Sequence, residues 1–169
     1  MMNEENTELQ TENELEQIEI DDISVIAATK GKLIAVDFGD VRTGIAVCDA
    51  TRFLASGIGF CRVGGLEKTA AEVARIAKEQ GAVGAVVGLP RNMDGSEGAR
   101  ADRCREFARR LKALTALPVM MTDERLTTVA ASRYLNETDT RGGKRKKVID
   151  SLSAEIILQN TLDRIKNMK

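Results

Sequence analysis

Histidine and tryptophan are absent from the 169 residues, and tyrosine occurs once. Without histidine the chain has no Ser-His or Cys-His nucleophile, no imidazole acid or base, and none of the usual zinc triads. The three cysteines, Cys48, Cys61 and Cys104, are odd in number and share no CxxC spacing. That argues against structural zinc and against a disulfide framework, so they read as small apolar residues or free thiols. No run approaches the roughly 18 apolar residues of a membrane span. The start carries no signal-peptide pattern, so the expected location is the cytoplasm, with no membrane partner. Aromatic residues are few (Phe38, Phe53, Phe60, Phe107 and Tyr134), and most are expected in the core. An aromatic platform for stacking single-stranded bases is therefore not expected.

What remains for demanding chemistry is carboxylate, lysine and arginine. Carboxylates without histidine suit Mg²⁺ or Mn²⁺. The formal net charge of −1 is unevenly distributed. Residues 1–30 hold nine acids and one lysine, whereas residues 31–169 hold 24 basic and 17 acidic side chains. The body is therefore basic, which suits a polyanionic partner, although a solvated mixed surface gives the same count. Residues 1–30 read as an acidic, disordered tail that would compete with a polyanion for that surface. Ile18, Ile20, Ile23, Val25 and Ile26 add a short docking segment at its end. Residues 31–169 read as one domain.

Short apolar runs bounded by turn residues predict strands at 33–36, 45–48, 57–63, 83–87 and 119–122. Apolar residues at helical spacing predict helices over 66–80, closed by Gly81, and over 101–116. Further helices are expected at 127–135 and 148–165, with a flexible basic loop over 136–147. Three successive strands followed by strand–helix alternation predict an α/β domain: a mixed five-stranded sheet with helices on both faces.

Four stretches carry chemistry. The first is Asp37-Phe38-Gly39 with Arg42 and Gly44. Asp37 is either a solvated strand end or the anchor of a metal or phosphate site, and the glycines allow close backbone approach. The second runs from Val86 through Gly88-Leu89-Pro90-Arg91-Asn92-Met93 to Asp94-Gly95-Ser96. It leaves the carboxyl end of a strand, where open α/β sheets bind ligands; a plain connection turning at Asp94-Gly95 explains it equally well. The third, Thr122-Asp123-Glu124-Arg125-Leu126-Thr127-Thr128, sets adjacent carboxylates at a strand end. They are costly side by side unless a cation sits there, and helix capping accounts for the threonines only. The fourth, Lys144-Arg145-Lys146-Lys147, enters a helix whose first turn holds Asp150. The basic run suits phosphate, while the helix dipole alone accounts for Asp150.

Together and in this order, the DxGxxRxG hairpin, the VVGLPxNMDG loop, the DERLTT strand end and Ile149-Asp150 with Ile157-Leu158-Gln159 resemble the YqgF/RuvX family over residues 32–165. The resemblance implies an RNase H-like fold related to the RuvC Holliday-junction resolvases. It implies a nuclease that matures the 5′ end of pre-16S ribosomal RNA in the bacterial cytoplasm. It carries the family's acidic positions onto Asp37, the Asp123-Glu124 pair and Asp150. Two departures, Val41 in place of a basic residue and Ser153 in place of alanine, touch no carboxylate.

These positions imply phosphodiester hydrolysis with Mg²⁺ (or Mn²⁺) ions held by Asp37, Glu124 and Asp150. Arg42, Arg91 and Arg125 are expected on phosphate oxygens, and Lys144, Arg145, Lys146 and Lys147 along the nucleic-acid backbone. The expected partner is structured RNA (pre-16S rRNA) or branched DNA, bound by a monomer or homodimer. Recognition is expected through shape and phosphates, with steep salt dependence. One difficulty is reach, because strand five is expected two strand spacings from strand one, about 10 Å. The longer side chain favours Glu124. Alternation puts Asp123 on the opposite face, bonded to Arg125 or backbone, and Asp94 is the reserve ligand. Two other classes compete. One is a non-catalytic nucleic-acid or ribosome-binding module of the same fold. The other is a phosphate-loop ATPase of the actin and sugar-kinase type, for which residues 31–169 leave no second domain.

Overall fold

The computed structural model of the chain describes residues 12–124 and 142–168, with backbone alone for 142–150. The expected helix over 127–135, Arg125, residues 1–11, and the side chains of Asp150 and of Lys144 to Lys147 lie outside the described residues.

Strands β1 (Leu33–Asp37), β2 (Thr43–Cys48) and β3 (Ala55–Cys61) form an antiparallel meander. Strands β4 (Gly84–Leu89) and β5 (Val119–Asp123) join β1 in parallel, giving the order β3-β2-β1-β4-β5. Parallel neighbours need crossovers, here the helices α3 (Leu66–Gln80) and α4 (Ala99–Thr115). Period-2 alternation sorts the sheet's two faces. Ile34 and Val36 face α3 and α4 with Val73, Ala77, Phe107 and Leu111. Leu33 and Ala35 face α5 (Gly142–Asn167) with Ala154, Ile157 and Leu158. Each large side chain fully buried here, such as Phe107 or Leu111, stabilises the fold by about 1.5–3 kcal/mol. The expected mixed sheet of five strands with helices on both faces is the observed one. No helix of the described residues is long and apolar enough to cross a membrane.

Element boundaries differ in places. Strand β3 begins at Ala55 instead of 57, because Ala55 pairs with Cys48 and donates its N–H to Gln159 Oε1 at 2.9 Å. Helix α5 begins at Gly142, so the backbone of 142–147 is helical where a loop was expected. Lysine and arginine are good helix formers that lose little rotamer freedom in a helix, and the run Lys144 to Lys147 continues unbroken into Val148. Farther along, α5 presses onto β3 where Gly57 leaves room, since a Cβ there would overlap the Ser151 hydroxyl.

The acidic segment, expected as a disordered tail with a short docking stretch over Ile18 to Ile26, is seated on the body from Glu12 onward. It forms α1 (Glu12–Glu16) and α2 (Ile23–Ala28), with Leu15 and Ile26 buried. Between them Asp21 adds to the edge of β5. Its N–H donates to the Val119 carbonyl at 2.8 Å, and its carboxylate accepts from the Val119 N–H at 2.9 Å. Lys112 closes the junction with an ion pair to Asp21 at 2.8 Å and a hydrogen bond to the Glu19 carbonyl at 2.8 Å. Aliphatic burial and edge pairing outweigh the segment's charge. Asp21→Ala would strand the Val119 N–H and leave Lys112 with the Glu19 carbonyl but no ion pair. The expected cost is about 1–3 kcal/mol, read as a fall in melting temperature of roughly 3–10 °C.

Candidate active site

Asp37 ends β1 and continues the row of Leu33 and Ala35, so alternation turns it toward the α5 side of the sheet. The turn behind it is tight. A Cβ on Gly39 would overlap the Arg42 carbonyl oxygen, so only glycine fits. The buried Thr43 hydroxyl lies 3.4 Å from both the Gly39 N–H and the Gly39 carbonyl. Phe38 stacks on Phe107 of α4 with ring centroids 4.6 Å apart, and Asp40 pairs with Arg103 at 3.1 Å. The loop carrying Asp37 is thus pinned to a rigid helix.

Glu124 follows β5 directly, and its N–H donates to the Leu89 carbonyl at 3.2 Å, extending the β4–β5 pairing. Its side chain crosses β4 at Gly88. A Cβ at Gly88 would overlap the Glu124 carboxylate and stand 2.9 Å from Ile157 Cδ1. Through that gap the carboxyl group reaches Asp37 and hydrogen-bonds to it. The distance that two strand spacings impose is closed by a long side chain passing over a residue that has none.

Two carboxyls in contact cannot both ionise freely. Burial and the negative charge of Asp37 push Glu124 up to about 8, with Arg100 opposing and the Asp37 hydrogen bond and Asp123 adding to the rise. Near neutral pH the pair therefore shares a proton. Beneath it, burial and the nearby acids push the buried Cys104 thiol up to about 12, so that thiol stays protonated and inert.

The other expected site residues are dispersed. Asp123 faces Arg91 at 3.7 Å; Arg125, its expected partner, lies outside the described residues. Arg91 lies equally close to Glu97, also at 3.7 Å, so it stands between two carboxylates. Asp94 accepts from the Ser96 N–H at 2.8 Å and from its hydroxyl at 2.6 Å, shaping the exposed loop. Arg42 lies over the Phe60 ring, 5.4 Å from its centroid. Asp150 is on the α5 backbone, and that helix packs against β1, β2 and β3 on the face toward which Asp37 turns.

Two participants were not singled out from sequence. Gly88 opens the route for Glu124; the signal was a glycine inside an apolar strand, which marks close approach. Arg100, in the first turn of α4, acts on both Glu124 and Cys104; it was visible only as one of several arginines near a helix start. The pair Asp37 and Glu124 offers hard oxygen donors of the kind Mg²⁺ and Mn²⁺ take. Among the described residues no group of three or more potential ligands occurs.

Comparison with known proteins gives a consistent result. Residues 31–164 match the family model described as "RuvX: Holliday junction resolvase". The protein named "Putative pre-16S rRNA nuclease" from Cereibacter sphaeroides is 47% identical over 135 residues, covering 80% of this chain and 84% of that one. Its namesake from Paracoccus denitrificans is 46% identical over 136 residues, covering 80% and 86%. Among solved structures, Thermus thermophilus RuvC in complex with a Holliday junction substrate superposes with a TM-score of 0.52 at 11% identity, covering 80% of this chain and 96% of that one. At that identity the likeness speaks for the fold alone, which is RNase H-like.

Proposed function

This chain belongs to the RuvX family, and from that footing we propose that it is a nuclease that hydrolyses phosphodiester bonds during ribosomal RNA maturation, with Asp37 and Glu124 at its reaction centre. The observation that carries the reading is the acidic pair itself. Two carboxyls from strands that are not neighbours are brought into contact through Gly88, and one of them is held protonated to about pH 8. A fold does not build so costly a contact for its own stability.

The pair fits a divalent cation. Its donors are all oxygen, and a cation removes the repulsion that otherwise keeps a proton on Glu124. Asp37 and Glu124 would hold Mg²⁺ or Mn²⁺, with Asp150 of α5 as the third ligand. Such ions supply water activation and stabilisation of charge on the leaving oxygen. The chain's own groups do the remainder. Arg100 acts on the acids, and Arg42 lies over Phe60 two strands away; both carry guanidinium groups suited to phosphate oxygens. The basic residues Lys144 to Lys147 add positive charge at the N-terminal end of α5, where the helix dipole is already positive, so a polyanion relieves both. Phe38 and Asp40, fixed to α4, hold the Asp37 turn in register.

The relatives' names favour precursor 16S ribosomal RNA as substrate. The family description and the RuvC likeness favour a second reading, a four-way DNA junction. Both substrates should be assayed with the parent protein and Asp37→Asn, in Mg²⁺ and in Mn²⁺. Cleavage is expected for the parent and at least about 100-fold slower for the variant, since even residues that only support a metal ligand cost 10–100-fold. Equal cleavage by the two proteins would remove Asp37 from the mechanism. Tight binding without cleavage in either metal would make the protein a binding module.

A further inference from the structure

We propose that Phe60, with the Arg42 guanidinium laid over it, is the platform on which a nucleobase beside the scissile phosphate stacks; this deepens the nuclease reading and rests on it. Strand register sets the location. Asp37 pairs with Gly44, and Gly44 pairs with Phe60. The three form one row across β1, β2 and β3, and directly paired residues share a face. The ring therefore lies on the Asp37 side of the sheet, two strand spacings away, about 9.5 Å. The middle position of the row is a glycine and puts no side chain between carboxylate and ring.

Phe60 is 36% exposed and belongs to neither core cluster. Helix α5 meets β3 through Ser151, against Gly57 and the Gly59 N–H, and Phe60 lies just past that contact. Arg42 stands 5.4 Å over the ring centroid. Nucleobases stack on aromatic rings and on arginine planes alike, and a guanidinium there also serves the adjoining phosphate. The remaining described aromatics are differently employed. Phe38 and Phe107 are stacked on each other in the core. Phe53, 72% exposed beneath Lys166, precedes Ala55 at the opposite end of β3 from Phe60. One ring suffices for one base, so the scarcity of aromatics does not stand against the assignment.

The chain contains no tryptophan, so a single introduced one reports on its own site. In the full chain carrying Asp37→Asn, which keeps RNA intact, Phe60→Trp and Phe53→Trp should each be titrated with a short single-stranded RNA of mixed sequence. Anisotropy of a labelled RNA follows binding independently. The expected result is saturable quenching for the tryptophan at 60 and none at 53. In the cleaving protein, Phe60→Leu should raise KM roughly five- to tenfold with little change in kcat, and Phe60→Tyr should restore it. Binding by anisotropy with unchanged emission at 60 overturns the platform and leaves the nuclease reading standing. Quenching at 60 in a protein whose parent cleaves nothing overturns the nuclease reading and leaves the platform. No binding by anisotropy overturns the platform and leaves the nuclease reading to the cleavage assay on structured substrates.

Discussion

At pH 9 the Glu124→Gln protein is expected to melt above its parent and to have lost metal-dependent cleavage. The two effects have one cause. In the folded chain Glu124 holds its proton up to about 8, against an ordinary carboxyl value of 4.5. Between those values the folded state binds a proton that the unfolded state has released, so stability falls as pH rises through that window and the full penalty is present above about 8. One pKa unit corresponds to about 1.4 kcal/mol; for a half-buried group coupled to Asp37 a penalty of a few kcal/mol follows. Glutamine keeps the shape without the charge. The expected gain is roughly 5–10 °C in melting temperature at pH 9, shrinking toward zero at pH 5. Mg²⁺ at pH 9 should raise the melting temperature of the parent and leave that of the variant nearly unchanged. A variant that melts with or below its parent at pH 9 would show that the two carboxyls do not repel.

Gly88→Ala is expected to lower cleavage by about 100-fold, the size of loss that a displacement of about 1 Å at a reacting group produces, while leaving the protein folded. The new methyl group would overlap the Glu124 carboxylate and crowd Ile157 Cδ1, 2.9 Å away. The first is the end of a flexible side chain, which can swing aside. The second costs about 1–3 kcal/mol of overpacking, partly offset by alanine's better fit to a strand and by relief of the carboxyl contact. Asp37 would keep its place, because its turn is held by Phe38, Asp40 and Thr43. Thermal melting by circular dichroism beside a cleavage assay separates the outcomes. Full activity would mean that Glu124 does not need the path across β4.

Much of this was legible in the linear chain. Apolar runs between turn residues placed all five strands, and the choice of Glu124 over Asp123 followed from side-chain length and alternation. The route between the acids was not legible. It depends on which residue of the intervening strand lies under Glu124, and Gly88 acquires that role only through the β4–β5 register. Arg91 was expected on phosphate, but the fold sets it between Asp123 and Glu97, partners that no local pattern announces. In the acidic segment the isoleucines from Ile18 to Ile26 announced a docking stretch, but its many acids hid the helix at Glu12–Glu16 and the burial of Leu15. Phe60 was discounted because aromatics are scarce, whereas its position relative to Asp37 appears only once β2 is paired on both sides.

The seating of Asp21 on β5 also orders events during synthesis. A ribosome adds roughly 5–20 residues each second, and Val119 lies 98 residues after Asp21. For about 5–20 s the newly made Asp21 segment exists without the strand it will flank. The Asp21 segment is thus made well before the strand that fastens it, and it can dock only after β5 has been synthesised.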